Sequence, residues 1–341
     1  MYSNEEKINK LFLYWLMTTL ILVFCIIIVG GLTRLTDSGL SITKWELFRG
    51  ILPPLNDKSW EEYFNQYKLI PQYEILNQNM SLDNFKIIFY WEYFHRILAR
   101  FIGLFFLIPL IYFYFSKKID KAHLRVCWTI FILICLQGII GWYMVKSGLI
   151  NDITVSHYRL SIHLSFAVII ISSIFWLVKN ILSGKNKNFL NFSLNNTPFQ
   201  FLILLIFIQI IMGAFVSGLD AGKIYQTWPK MGNTYFPNDL SIIDFKEIID
   251  FDNHSLVQFY HRNLAYIIVV YVLFLGIYIY KGKKVNLYLP VKLLFLILFL
   301  QAMLGILTLI SGLNIYLASL HQITSVFFVF SALNLYYFVA K

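Results

Sequence analysis

The 341-residue chain is 58% hydrophobic and only 13% charged, with 28 Lys and Arg against 18 Asp and Glu, and its mean hydropathy is +0.66. A soluble domain carries roughly twice that charged fraction, so the composition excludes a soluble globular fold and predicts an all-α integral membrane protein. The net charge of +10 is spread over short connections between apolar runs, which excludes a nucleic-acid partner and makes the lipid bilayer the main surrounding.

A spanning helix needs about 20 mostly apolar residues. Eight segments qualify, roughly 11–32, 92–115, 124–145, 157–178, 199–218, 258–280, 291–311 and 316–340. The first lacks a small-residue cleavage site and reads as a retained helix, not a signal peptide. Lys7 and Lys10 precede it. Lys117, Lys118, Lys121 and Arg125 follow the second span, Lys179, Lys185 and Lys187 the fourth, and Lys281, Lys283, Lys284 and Lys292 the sixth. In an eight-span topology all of these fall on one side. The positive-inside rule makes that side, with both termini, cytoplasmic. No Arg- and Ser-rich leader stands ahead of the first run, so a bacterial inner membrane is expected. On the other side two connections are long, about 33–90 and 219–257. Loops of that length are usually functional, and a lid over a site is expected. Cys25, Cys127 and Cys135 all fall within spans, so no disulfide framework is implied.

The chain contains one passage twice. Residues 92–100 read Glu-Tyr-Phe-His-Arg-Ile-Leu-Ala-Arg, and 258–266 read Gln-Phe-Tyr-His-Arg-Asn-Leu-Ala-Tyr. Each precedes an apolar segment built on Leu-Gln-x-x-x-Gly and ending in Ser-Gly-Leu, 136–149 and 300–313. A polar stretch at 180–198 separates the copies, giving halves 1–180 and 198–341. The expected architecture is two tandem four-helix bundles. Because each copy has an even number of spans, a pseudo-two-fold axis along the membrane normal should relate them. The ends of the first and fifth spans also correspond: Gly30-Gly31 through Asp37 and Gly39 to Trp45 matches Gly213 through Asp220 and Gly222 to Trp228. Glycine is expected to let the chain turn tightly there.

Each copy keeps two histidines. His95 and His261 fall near the outer start of the second and sixth spans, and His163 and His321 one to two turns inside the fourth and eighth. All four share a depth near the outer face. Imidazole in hydrocarbon is expensive and marks function by default. A neutral imidazole is a common axial ligand of haem iron, and two helices presenting one His each can hold a porphyrin between them. A lone His bonding a carbonyl is the bland alternative; repetition at four equivalent places speaks against it. Zinc usually needs four ligands, and no Cys or Asp stands at that depth. His157 has no counterpart and reads as interfacial, while His123 and His254 read as solvated loop residues. Glu92 lies three residues before His95, on the same helix face, where a carboxylate can accept or donate a proton. Gln258 keeps its shape without that capacity. Arg96 and Arg262 directly follow the histidines; they suit haem propionates or simple snorkelling to the interface. No Cys-x-x-Cys-His occurs, so a haem would be held non-covalently.

Together these motifs resemble the haem A synthase family: Glu-x-x-His-Arg and its Gln-x-x-His-Arg echo, the further His163 and His321, the passage at 30–45, and Thr-Trp-Pro-Lys-Met at 227–231. The likeness covers nearly the whole chain. The first external loop lacks the cysteine pair of many bacterial members, as in the alphaproteobacterial and mitochondrial variant. The resemblance implies oxidation of a ring methyl of haem O to a formyl, giving haem A for cytochrome oxidase. Water would supply the oxygen, through an alcohol and a gem-diol. It further implies that His95 and His163, with Arg96, bind substrate haem O; that His261 and His321, with Arg262, bind a resident haem b; and that Glu92 acts at the methyl. Haem O synthase and cytochrome oxidase assembly factors would be the partners, and homo-oligomerisation stays open. Two alternatives remain at this point. One is a bis-histidine b-type cytochrome that only relays electrons. The other is a parallel-repeat transporter, for which the chain lacks paired Gly- or Pro-broken helices.

Overall fold

The computed structural model describes residues 10–44, 49–149, 153–240 and 245–341. Lys7, counted above among the cytoplasmic charges, and Trp45, the end of the first glycine-rich passage, lie outside them. The architecture is all-α. Among the described residues the one extended pairing is an isolated bridge between Met231 and Thr234. Among the described residues eight helices are long and apolar enough to cross a membrane, so the protein is a multi-pass membrane protein, as the hydropathy predicts. They are α1 (Lys10–Leu35), α4 (Leu82–Ser116), α5 (Lys121–Gly148), α6 (His157–Ser183), α7 (Thr197–Gly218), α9 (His254–Lys281), α10 (Tyr288–Ile310) and α11 (Ile315–Val339). Three short helices lie between them: α2 (Asp57–Tyr67), α3 (Pro71–Leu76) and α8 (Phe245–Ile248).

The chain forms two compact units, residues 21–167 and the remainder. In the first, the long connection after α1 is not an open loop. Asn56 caps α2 by accepting from the Ser59 amide at 2.9 Å, and Pro71 sits at the start of α3, where its missing N–H costs nothing. Trp60, Phe64 and Tyr67 recur at helical spacing along α2 and are buried with Leu40, Ile42, Ile70, Phe85 and Phe89. Burying each such ring contributes roughly 1.5–3 kcal/mol. Helix α4 is the other half of this cluster. It begins at Leu82, not near 92, because Ser81 caps it and Phe85 and Phe89 need a helix to reach the rings of α2. Its 35 residues extend about 52 Å, well beyond the roughly 30 Å of hydrocarbon, so its opening turns belong to this extramembrane cap.

In the second unit, α7 packs on α9 and α11, and α10 on α9 and α11, which closes a four-helix ring. Helix α9 starts at His254 under an Asn253 cap that accepts from the Leu256 amide at 3.1 Å. His254 therefore opens a helix and is not a loop residue. The tight exits after α1 and α7 are made by aspartate, not glycine. Asp37 and Asp220, at matching places of the repeat, have φ of 50° and 53°, a left-handed conformation that Asp tolerates better than most residues. Gly222 serves close approach instead: a Cβ there would lie 2.8 Å from Leu313 Cδ2.

Candidate functional site

Each of the four histidines is seated on a glycine of another helix. A Cβ built on Gly30 of α1 would lie 3.1 Å from His95 Nε2, and one on Gly141 of α5 would lie 2.9 Å from His163 Cε1. In the second unit, Gly213 of α7 would meet His261 Cε1 at 3.1 Å, and Gly305 of α10 would meet His321 Cε1 at 2.9 Å. Any side chain at these places would push the ring away. Three of the four seats carry a glutamine one turn before the glycine. Gln137 Nε2 donates to the His163 carbonyl at 3.0 Å, and Gln209 Nε2 to the His261 carbonyl at 3.0 Å. Gln301 Nε2 lies 3.3 Å from His321 Nδ1, and that nitrogen also lies 3.1 Å from the Gln301 backbone carbonyl. The sequence marks these positions as Gln-x-x-x-Gly, a sign of duplication; the structure adds what they touch.

The pairing of the histidines suits iron. The His95 and His163 ring centroids are 6.4 Å apart. Two metal–nitrogen bonds of about 2 Å each, with the ring radius at either end, give a separation of roughly 6 Å. His261 and His321 are near enough to interact electrostatically. Among the described residues no three of His, Cys, Asp and Glu converge, so the site offers imidazoles in pairs and lacks the ligand number of a structural zinc site.

Glu92 and Gln258 are both buried, at 3% and 2% exposure, but in opposite hydrogen-bonding environments. Glu92 Oε2 accepts from Ser41 Oγ at 2.7 Å and from the Ile42 amide at 2.8 Å. Its Oε1 accepts from Arg96 Nη2 at 2.6 Å, and the same nitrogen donates to the Ile42 carbonyl at 3.1 Å. Such a set of donors suits a buried carboxylate. In the second copy Gln258 Nε2 donates to the Tyr225 carbonyl at 2.9 Å. Arg262 donates to the same carbonyl at 2.9 Å, to Thr227 O at 2.9 Å and to Lys230 O at 3.3 Å. Each arginine thus ties the loop after the preceding span to the histidine helix, and Arg262 fastens the Thr-Trp-Pro-Lys-Met passage. Ile42 escaped the sequence reading because a backbone donor leaves no signature of its own, and Ser41 because a lone hydroxyl gains its meaning only from the helix across from it.

Of the remaining histidines, His123 bonds the helix cap Asp120 at 2.5 Å. His157, the first residue of α6, is 7% exposed, more enclosed than an interfacial position implies.

The chain matches the family model described as cytochrome oxidase assembly protein over residues 13–333. It is 50% identical over 331 residues to a protein of Pelagibacter ubique named heme A synthase, covering 96% of each chain. Proteins of the same name from Flavobacterium psychrophilum and Parvibaculum lavamentivorans are each 40% identical to it. They cover 93% and 91% of this chain, and 94% and 88% of their own lengths. A likeness of this extent, over the helices that carry the four seated histidines, makes the chain a member of the haem A synthase family.

Proposed function

We propose that this protein oxidises a ring methyl of haem O to a formyl, giving haem A for cytochrome oxidase, with water as the oxygen source. The half 1–180 takes the substrate on His95 and His163, and the half 198–341 holds haem b on His261 and His321. The overall change converts CH3 and one water to CHO, releasing four electrons and four protons in two-electron stages. Haem b, when bound, supplies one-electron redox chemistry for passing those electrons to an electron acceptor outside the chain, which takes up all four. Glu92 acts at the substrate methyl, taking a proton or stabilising the positive charge that develops as electrons leave. Arg96 fixes that carboxylate. Because both arginines are engaged with loop carbonyls, their remaining N–H groups are what they offer to propionates. The protein resides in the bacterial inner membrane with both termini cytoplasmic and both sites near the outer face. It receives haem O from the synthase that makes it and passes haem A to assembly factors.

The observation that carries this reading is Glu92, the one buried carboxylate among the described residues, on the helix of one histidine pair, with an amide at the same place in the other copy. An electron-relay cytochrome has no use for that asymmetry. The test is pigment extraction from protein purified out of cells that make haem O. Haem B together with haem O, haem A or the alcohol is expected. Haem B alone, filling both sites, would move the assignment to an electron-transfer cytochrome. In the same cells Glu92→Gln should keep its haem and lose haem A formation by about 100-fold or more; undiminished haem A would remove Glu92 from the chemistry.

A further inference from the structure

Three of the four histidine seats contain an acceptor with nothing to accept. The side-chain oxygens of Gln137, Gln209 and Gln301 are buried without a hydrogen-bond partner, although each amide nitrogen lies against the histidine beside it. A buried amide oxygen left unpaired costs about 1–3 kcal/mol, and its recurrence at three histidine seats, with Gln137 and Gln301 counterparts in the repeat, points to a shared partner. That partner is the histidine itself. A neutral imidazole that gives one nitrogen to iron carries a proton on the other, and that N–H needs an acceptor; at His321 the Gln301 residue already brings one, its backbone carbonyl 3.1 Å from Nδ1. His163 Nδ1 is itself buried and unpartnered, so that seat holds both an unused acceptor and an unused ring nitrogen.

The fourth seat differs. One turn before Gly30 the residue is Ile26, not glutamine. Among the described residues no hydrogen bond reaches the His95 ring.

Resting on the haem reading above, we propose that Gln137, Gln209 and Gln301 are positioning residues that hold His163, His261 and His321 on iron, and that His95 is the one ligand left free to leave. The resident haem would then be locked from both sides, while the substrate haem is locked from one side only, the side away from Glu92's own helix. A substrate that must enter, change and depart needs such a releasable bond; a permanent cofactor does not.

Carbon monoxide tests this, because it binds a reduced haem only where an axial ligand has been given up. In the full-length, haem-loaded protein, the haem of the first half should bind carbon monoxide and that of the second should not. Gln209→Leu should keep haem b but alter its low-spin electron paramagnetic resonance signature and raise its carbon monoxide-reactive fraction several-fold. Ile26→Gln should lower the reactive fraction in the first half, and this arm decides the matter if Gln209→Leu loses its haem. Unchanged spectra and carbon monoxide binding in Gln209→Leu, or an unaltered first-half fraction in Ile26→Gln, would overturn the proposal while leaving the haem sites standing. Protein that carries no haem at all would instead refute the reading on which it rests.

Discussion

Glu92 Oε2 faces an amide N–H at Ile42, whereas Gln258 Nε2 faces a carbonyl at Tyr225. The difference between the copies therefore extends from the side chain into the backbone opposite it, and exchanging the residue alone does not exchange the site. Gln258→Glu would set a carboxylate against the Tyr225 carbonyl, with the loss of a buried hydrogen bond added. A destabilisation of about 1–3 kcal/mol is expected, read as a lower melting temperature in detergent, with no new oxidation at the second haem. An unchanged melting temperature would show that the loop can turn its amide inward. The glycine seats give a second expectation at this scale. Gly213→Ala places a methyl 3.1 Å from His261 Cε1, so the haem b content of the purified protein should fall several-fold, whereas Gly103→Ala, where a Cβ meets nothing within 4 Å, should leave it intact.

Among the elements, the extramembrane cap of α2, α3 and the start of α4 has its own polar pin. Tyr67 is fully buried; its hydroxyl donates to Gln72 Oε1 at 3.0 Å and accepts from Asn77 at 2.8 Å. Gln72 in turn donates to the carbonyl of Asp37 at 3.1 Å, at the left-handed turn after α1. Burial pushes the Tyr67 phenol up from 10.0 to about 12, with the Asn77 hydrogen bond opposing. A phenol whose proton is held more tightly in the folded state stabilises fully below pH 10, and that contribution disappears as pH rises towards 12. The cap should loosen over that window, seen as increased proteolysis between α2 and α4. Tyr67→Phe should remove the pH dependence while lowering stability at neutral pH by about 1–3 kcal/mol, because it strands Gln72. This cap was only partly legible in the sequence. The apolar spacing of Trp60, Phe64 and Tyr67 is an amphipathic helix signal, but it lies in a stretch whose length and Pro53-Pro54 suggest an open loop. The aromatic partners that make it a folded element sit on α4, in residues that hydropathy leaves outside the span.

For the whole molecule, the spans and the histidine pairs were open to sequence reasoning, since hydropathy and duplication both act over long stretches. The seats beneath the histidines were not, because a glycine's value there depends on which helix lies across from it. The charge distribution adds a testable topology: a phosphatase reporter active only after export should stay inactive when joined at Lys118 and become active when joined within 225–240. The opposite pattern would invert the protein and move both sites to the cytoplasmic face. The long helix α4 ties these scales together. Between its Ser81 cap and Pro109 it contains no proline, so the rings of Phe85 and Phe89, the Glu92 carboxylate and the His95 imidazole all ride on one rod. Their spacing cannot change without breaking helical hydrogen bonds. Whatever presses on the cap from outside the membrane, a docking protein or an incoming pigment, therefore reaches the site as a tilt of carboxylate and ligand together, like a hand on the far end of a lever.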